Sequence, residues 1–187
     1  MLEFVTRIQR LLSRFILTRD GVAAVEFALV LPLLITLYIG TVEASRALSY
    51  DRRLTSAASA LGDLVAQTKG SLTQAELADL FSVAEITVTP YGASNLKQIA
   101  THVYVNADGD TNIEWSEGHN GGVAHAEDTP YDLPVEFTNV ARDTYVIVSE
   151  VEMNYEPITS FIFSEGITLY QEYYYVARFG DSIALTP

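Results

Sequence analysis

One apolar run near the N-terminus constrains this chain more than any other feature of its sequence. Residues 22–42 form a run of 21 residues in which Glu26 is the only charge. At a rise of about 1.5 Å per residue, a helix of this length covers about 30 Å, the thickness of a bilayer's hydrocarbon core. The run therefore predicts a transmembrane helix over residues 22–42. An acid inside a membrane span is energetically unfavourable, so we expect Glu26 to have a function and not merely to pack against its neighbours.

Charge predicts the orientation of that helix. Residues 1–20 contain four arginines and two acids, whereas residues 71–187 contain three basic and eighteen acidic side chains, a net charge of −15. The positive-inside rule predicts that residues 1–21 are a cytoplasmic basic leader, and that the C-terminal part of an inner-membrane protein is exported to the periplasm of a Gram-negative cell. An exported domain this acidic repels phosphate, so nucleic acid is not an expected partner. The chain has no cysteine, which excludes disulfides and thiolate metal sites.

The start of the run has the spacing of a processing site. Gly21 directly precedes the run, and Glu26 is the fifth residue after it. Cleavage between Gly21 and Val22 would place Glu26 fifth in the mature chain and create an α-amino group on Val22. A conventional secretory signal is cut after its apolar region at a small-x-small site, and no convincing site of that kind follows Glu43. The spacing therefore favours processing before the apolar run.

The wider pattern, GVAAVEFALVLPLL, is more specific than a glycine and an acid alone. At its start it resembles the type IV prepilin cleavage site, and as a whole it resembles the TadE-like family of tight-adherence (Flp) pilus assembly proteins. The residues that carry this resemblance are Gly21, Ala24, Val25, Glu26, Phe27, Ala28 and Pro32. The resemblance implies a minor pseudopilin with a structural role in a pilus system of cell adhesion and biofilm formation. The implied partners are a prepilin peptidase, other pilin or pseudopilin subunits and the inner-membrane assembly platform.

The resemblance also assigns roles to single residues. It implies prepilin-peptidase cleavage between Gly21 and Val22, and pairing of Glu26 in the membrane with the α-amino group of a neighbouring subunit. Pro32 removes a backbone hydrogen bond inside the span and predicts a kink, which either helps subunits to pack or is merely tolerated. The alternative is an uncleaved, signal-anchored periplasmic binding module, in which Glu26 reaches water at the cytoplasmic interface.

Helical periodicity continues beyond the predicted span. Apolar residues recur at helical spacing, so residues 43–69 are predicted to continue the helix into the periplasm as part of one helix over residues 22–68. Gly62 is the weakest point of that helix, and the small residues at 57–60 either permit close packing or simply favour a helix. Gly70 ends it, and Thr73-Gln-Ala-Glu76 is a capping box that opens a short second helix to about residue 82.

Residues 70–187 are predicted to form a small periplasmic α+β domain. Alternating runs predict an antiparallel sheet of about five strands at 84–89, 97–106, 111–117, 144–155 and 167–179, with a short helix near 135–141. Asp108-Gly109 lies between two of these runs and predicts a hairpin. We expect the sheet to pack on the second half of the long helix. The apolar connection 158–163 is expected to pack under the sheet or to contact a partner.

No constellation in the sequence is a strong candidate for chemistry. Asn106 begins a run of oxygen ligands with EF-hand-like spacing, but the run lacks the glycine and the flanking helices of a calcium site, so a hairpin tip is favoured. His119 and His125 lie in a glycine-rich loop without the spacing of zinc ligands. Glu150 and Glu152 share a strand face, yet acid–base catalysis needs a cleft that separates their pKa values. We therefore predict no metal, no cofactor and no enzymatic activity; a hydrolase would require a concave cluster of titratable groups.

Overall fold

The computed structural model describes residues 20–89, 95–158 and 166–187. The chain divides into two compact units, Met1–Ser45 and Arg46–Pro187. The predicted leader up to residue 19, and the apolar connection from residue 159, lie outside the described residues. The predicted domain boundaries stay predictions.

Helix α1 is described from Asp20 to Ala66, so the predicted helix over residues 22–68 is confirmed and ends within two residues of the predicted position. In the first unit, the apolar side chains of this helix are largely exposed, from Val22 to Val42. Among the described residues, α1 is long and apolar enough to cross a membrane once. An apolar surface of this length is compatible with a lipid environment.

A glycine ends the long helix and a capping box begins the next. Gly70 has a φ of +78°, a conformation that favours glycine over residues with a side chain. Strand β1, Ser71–Thr73, is followed by helix α2, Gln74–Val88. Thr73 Oγ1 accepts a hydrogen bond from Glu76 N (3.1 Å), and Glu76 Oε2 accepts one from Thr73 N (2.8 Å). The predicted stop and the predicted capping box are both confirmed.

The strand predicted at residues 84–89 is wrong, because helix α2 continues to Val88. The buried residues of α2 are Leu77, Phe81, Ala84 and Val88, which recur at helical spacing along one face. Ile86, which lies within the predicted strand, is 71% exposed. The alternation at residues 86–89 fits a strand locally, but burial of the helical face against the core decides the conformation.

Four strands form the main sheet, and two short strands form a second one. The further elements are β2 (Lys97–Val105), β3 (Thr111–His119), α3 (Val135–Val140), β4 (Thr144–Tyr155), β5 (Ile167–Val176) and β6 (Ala184–Thr186). The main sheet has the order β3-β2-β4-β5 and is antiparallel throughout, while β1 and β6 pair in parallel. The predicted α+β fold is confirmed. The strand predicted to end at residue 179 ends at Val176, and the Asp108-Gly109 hairpin is confirmed, with φ +94° at Gly109.

The main sheet of the second unit is covered on both faces. One face packs against residues 54–66 of α1 and against α2, as predicted for the second half of the long helix. This larger core includes Leu54, Ala58, Leu61, Phe81, Trp115, Ile147 and Val151. The opposite face packs under residues 131–141, which include α3, in a smaller core that includes Val103, Ile113, Leu133, Val146 and Val148.

Small residues of α1 let the sheet approach its backbone. Ala57 and Ala58 are completely buried, and Ser149 Oγ donates a hydrogen bond to Ala58 O (2.7 Å). Tyr175 lies over Gly62, where a Cβ atom would be 2.5 Å from the ring carbon Cδ2. The small residues at 57–62 therefore fit helix α1 to the sheet.

Candidate functional site

The residues predicted as a processing and pairing site lie at the start of the described part of α1. Gly21 and Val22 follow Asp20, the first described residue of the helix. Glu26 is exposed and lies four residues after Val22, on the same helix face. The local geometry thus brings Val22 and Glu26 together, while cleavage and pairing stay predictions.

Pro32 lies inside α1 without ending it. Thr36 Oγ1 donates to Pro32 O (2.9 Å), and Thr41 Oγ1 donates to Leu37 O (2.8 Å). These side-chain hydroxyls are therefore satisfied within the helix, as a polar group in an apolar span requires. A bend at Pro32 with a role in packing stays a prediction.

A cluster of carboxylates and phenols lies on the sheet face opposite α1, and the sequence did not indicate it. Glu150 on β4 and Glu172 on β5 occupy directly opposite positions in the ladder. Tyr131 OH donates to Glu172 Oε1 (2.6 Å) and approaches Glu150 Oε1 at 3.2 Å. Tyr170 OH donates to Glu150 Oε2 (2.8 Å), and His125 Nε2 lies 2.6 Å from Glu150 Oε1. We call these five residues the carboxylate–tyrosine cluster.

The phenols of this cluster remain protonated hydrogen-bond donors. Burial, the hydrogen bond to Glu172 and the negative charge of Glu150 raise the pKa of Tyr131 far above its ordinary value. Burial, the hydrogen bond to Glu150 and the charge of that carboxylate likewise raise the pKa of Tyr170. Like charges directly opposite each other destabilise a sheet, and these donors offset that repulsion. The cluster therefore attaches residues 125–131 to the sheet.

A cleft of about 210 Å³ adjoins the cluster, with Lys97, Gly122, Val123, Glu150, Glu152 and Tyr170 among its lining residues. Glu152 shares the strand face of Glu150, as predicted, but it pairs with Lys97 Nζ at 2.7 Å and not with its neighbouring acid. Glu150 is instead joined to Glu172 across the ladder. No local signal could have indicated this, because the two glutamates are brought together only by strand pairing.

The loop histidines predicted as weak zinc candidates do not share a site. His119 Nε2 lies 3.2 Å from Glu85 Oε1, and its ring stacks on Phe81, whereas His125 belongs to the carboxylate–tyrosine cluster. Within the described ranges, no group of three or more His, Cys, Asp or Glu side chains is placed to hold a metal ion. Asn106 Oδ1 accepts hydrogen bonds from the N–H groups of Asp108 (3.0 Å) and Asp110 (2.8 Å). This side chain thus closes the predicted hairpin tip.

His102 is a further buried polar residue that the sequence did not single out. It is 0% exposed and its ring stacks between Trp115 (5.5 Å) and Tyr145 (4.9 Å). Neither of its ring nitrogens has a hydrogen-bond partner among the described residues. Burial lowers its pKa to about 4, so the ring is neutral at neutral pH. The ring is therefore an uncharged part of the packing around Trp115 and Tyr145.

Comparison with known proteins adds evidence for part of the first third of the chain. A family model described as TadE-like protein matches residues 21–62, which confirms the predicted resemblance over that range. The match begins at Gly21 and lies entirely within α1. No curated protein and no solved structure gave a significant match. The similarity to known proteins therefore rests on the helix and not on the sheet.

Proposed function

We propose, from the TadE-like match over residues 21–62, that this chain is a minor pseudopilin with a structural role in assembling a tight-adherence (Flp) pilus. The observation that carries the proposal is the point at which the family match begins. The match starts at Gly21, the glycine that directly precedes the apolar run with its single acid. The TadE-like family suggests membrane association and contacts with pilus subunits, and the proposal extends this to one membrane helix with a cytoplasmic N-terminus and a periplasmic domain.

In this proposal, Gly21 and Val22 form the prepilin-peptidase cleavage site. The peptidase needs access to the backbone, and the glycine leaves one side of this bond without a side chain. A larger side chain at position 21 is expected to hinder binding of this segment. Inner-membrane assembly proteins would then receive a chain that starts at Val22.

Glu26 is the residue that we propose to join subunits in the membrane. A carboxylate in hydrocarbon is unfavourable unless it is paired, and cleavage supplies the opposite charge as the α-amino group of a neighbouring mature subunit. The exposed position of Glu26 on α1 supports this role, because an adjacent chain has access to it. In this mechanism only a processed subunit has the α-amino group with which Glu26 pairs, so unprocessed subunits do not assemble.

The test separates processing from assembly in a cell with an active prepilin peptidase. Intact-mass measurement should show a mature chain that starts at Val22 for the wild type and for Ala23→Leu, the matched control. Gly21→Leu should keep residues 1–21. Glu26→Ala should be cleaved normally but should lower the number of pili seen by electron microscopy, and Glu26→Gln should behave in the same way because it also lacks the charge.

Two outcomes would contradict the proposal. A wild-type chain that retains Met1 would favour the uncleaved, signal-anchored binding module. Wild-type piliation in both Glu26 variants would refute the pairing mechanism while leaving processing intact.

A further inference from the structure

Strand β5 forms one edge of the main sheet, and half of the backbone N–H and C=O groups of β5 point away from the sheet. Ala177 N donates to Tyr145 O (2.9 Å), directly beyond the last ladder pair of β4 and β5. Residues of an antiparallel ladder exchange hydrogen bonds in every second pair. The odd-numbered residues of β5 therefore bond to β4, and the even-numbered residues from 168 to 176 direct their N–H and C=O groups outward. Within the described residues, no strand pairs with this edge.

This edge lacks most of the features by which proteins usually prevent edge pairing. Lysine, proline, bulges and very short strands are such features, as are inward-pointing charges, of which the strand has one in Glu172. Residues 167–176 contain no lysine, proline or glycine, and they pair with β4 over ten positions without a register shift. Glu172 is the only charged residue in the strand, and its carboxylate is turned onto the sheet face by its bond to Tyr131. The strand is thus long, regular and able to accept another strand.

The opposite edge of the same sheet, strand β3, is protected from pairing with another strand, unlike the edge formed by β5. Ile113 on β3 donates its N–H to Thr129 O (2.9 Å) and accepts from Asp128 N (2.9 Å). The pairing of β2 with β3 also contains an irregularity between His102 and Val103. A connecting loop therefore covers the β3 edge. On β5, by comparison, Tyr170 is 48% exposed and Val176 is 44% exposed.

Charge determines which kind of strand this edge would accept. Residues 71–187 carry a net charge of −15, and Glu150, Glu152 and Glu172 lie on the sheet face beside the edge. Lys97, the basic residue on that face, is already paired with Glu152. A second copy of this acidic domain would bring like charge to the contact, whereas a basic segment brings opposite charge.

We propose that the outer edge of β5 binds an extended, lysine- or arginine-rich segment of another protein by adding it to the sheet. The backbone groups of residues 168, 170, 172, 174 and 176 would provide the hydrogen bonds, as in other cases of strand addition to an open edge. The net charge of −15 on residues 71–187 would favour basic side chains in the partner. This inference is independent of the proposed cleavage at Gly21, since it concerns the sheet alone.

The test follows single backbone amides of the full-length protein in detergent micelles. The probe is a capped nine-residue peptide of alternating lysine and valine, added to millimolar concentration. We expect hydrogen exchange at Tyr170, Glu172 and Tyr174 to slow by at least about tenfold, because each N–H gains an acceptor, while exchange at Gln171 and Tyr173 is unchanged. An alternating glutamate–valine peptide is the control for charge, and a peptide of residues 167–176 represents a second copy of the chain.

A pair of variants isolates the backbone contribution. Tyr174→Pro removes one outward N–H at a position where an edge strand tolerates proline, and Tyr174→Thr removes the same ring but keeps the N–H. We expect binding of the basic peptide to be about tenfold weaker for Tyr174→Pro than for Tyr174→Thr. Val176→Pro provides a second block if Tyr174→Pro fails to fold, as judged by loss of protection at Tyr173.

Three results would overturn the proposal. The first is unchanged exchange at the even-numbered amides with the basic peptide. The second is equal slowing with the acidic peptide, which would remove the charge argument. The third is stronger protection by the peptide of residues 167–176, which would make the edge an interface between copies of this chain.

Discussion

Substitution of Gly62 by alanine tests how closely helix α1 and the sheet are packed. In an ordinary helix interior, this change stabilises by about 0.8–1.0 kcal/mol, because glycine loses more backbone entropy than alanine. Here a Cβ atom at position 62 would lie 2.5 Å from Tyr175 Cδ2 and 2.8 Å from Ser149 Oγ. Real Cβ contacts are not this short, so one of these neighbours has to move.

Neither neighbour of Gly62 is free to move. Tyr175 OH shares a hydrogen bond of 2.6 Å with Ser59 Oγ, and Ser149 Oγ donates to Ala58 O at 2.7 Å. Overpacking a well-packed core costs about 1–3 kcal/mol, and a lost hydrogen bond adds about 0.5–1.5 kcal/mol. After the gain in helix propensity is subtracted, Gly62→Ala should destabilise the protein by about 1–3 kcal/mol.

The assay is urea unfolding of the full-length protein in detergent, followed by tryptophan fluorescence. Trp115 is the only tryptophan of the chain and is buried in the core that contains α1. Its signal therefore reports loss of packing in the second unit. Ser56→Ala, on an exposed position of the same helix, is the matched control and should change stability by only a few tenths of a kcal/mol.

A double-mutant cycle with Tyr175→Ala identifies the cause. If the ring is the obstacle, the effect of Gly62→Ala should become much smaller in the Tyr175→Ala background, with a coupling energy of about 1 kcal/mol or more. The reasoning would be refuted if Gly62→Ala alone raised stability by about 1 kcal/mol, as in an unobstructed helix.

Substitutions at three further positions test the N-cap of α2 and two buried polar groups, each by urea unfolding. Thr73→Ala should cost about 1 kcal/mol by removing the N-cap of α2, whereas Thr73→Ser should cost little; equal effects would argue against the cap. In the folded protein the pKa of His102 is lowered from 6.5 to about 4, so between these pH values the unfolded chain takes up a proton that the native chain does not. The free energy of unfolding should therefore fall as the pH drops from 6.5 towards 4, by up to about 1.4 kcal/mol per pH unit. His102→Leu should show a shallower fall between pH 7 and pH 5, and identical slopes would exclude this residue as the cause. Tyr131→Phe should destabilise by about 1–3 kcal/mol, because Glu150 and Glu172 lose their shared donor; an unchanged unfolding midpoint would show that water replaces the phenol.

Features with a local signal were predicted correctly. The capping box at Thr73 and the hairpin glycine at 109 depend on neighbouring residues, and both are found where the sequence placed them. The long strands β4 and β5 were recognised by their alternation, with an error of three residues at the end of β5. For these elements, conformational preference and burial pattern agree.

Errors arose where two local patterns compete. The segment at residues 84–89 alternates like a strand and is rich in β-branched residues, yet it forms the end of α2. Its helical face buries Ala84 and Val88, and this tertiary contact outweighs a weak intrinsic preference for a strand. Because residues 84–88 are helical, the strand that pairs with β2 on the side away from β3 is β4. No local pattern indicates this pairing.

The carboxylate–tyrosine cluster is the clearest case of long-range organisation. Glu150 and Glu172 are 22 positions apart in the sequence, and they become neighbours because β4 and β5 pair in one register. Tyr131 reaches both from a loop that precedes β4. A shift of one residue in that register would turn the two side chains to opposite faces, so the cluster exists only in the folded chain.

The sequence by itself determined the apolar helix, the single acid at position 26 and the glycine before it, because membrane length and charge placement are properties of one continuous segment. The tertiary structure alone decided the sheet order, the open edge of β5 and the close fit of Tyr175 over Gly62. These features depend on residues far apart in the chain, whose contacts form only when the strands and the second half of α1 bury their apolar faces together.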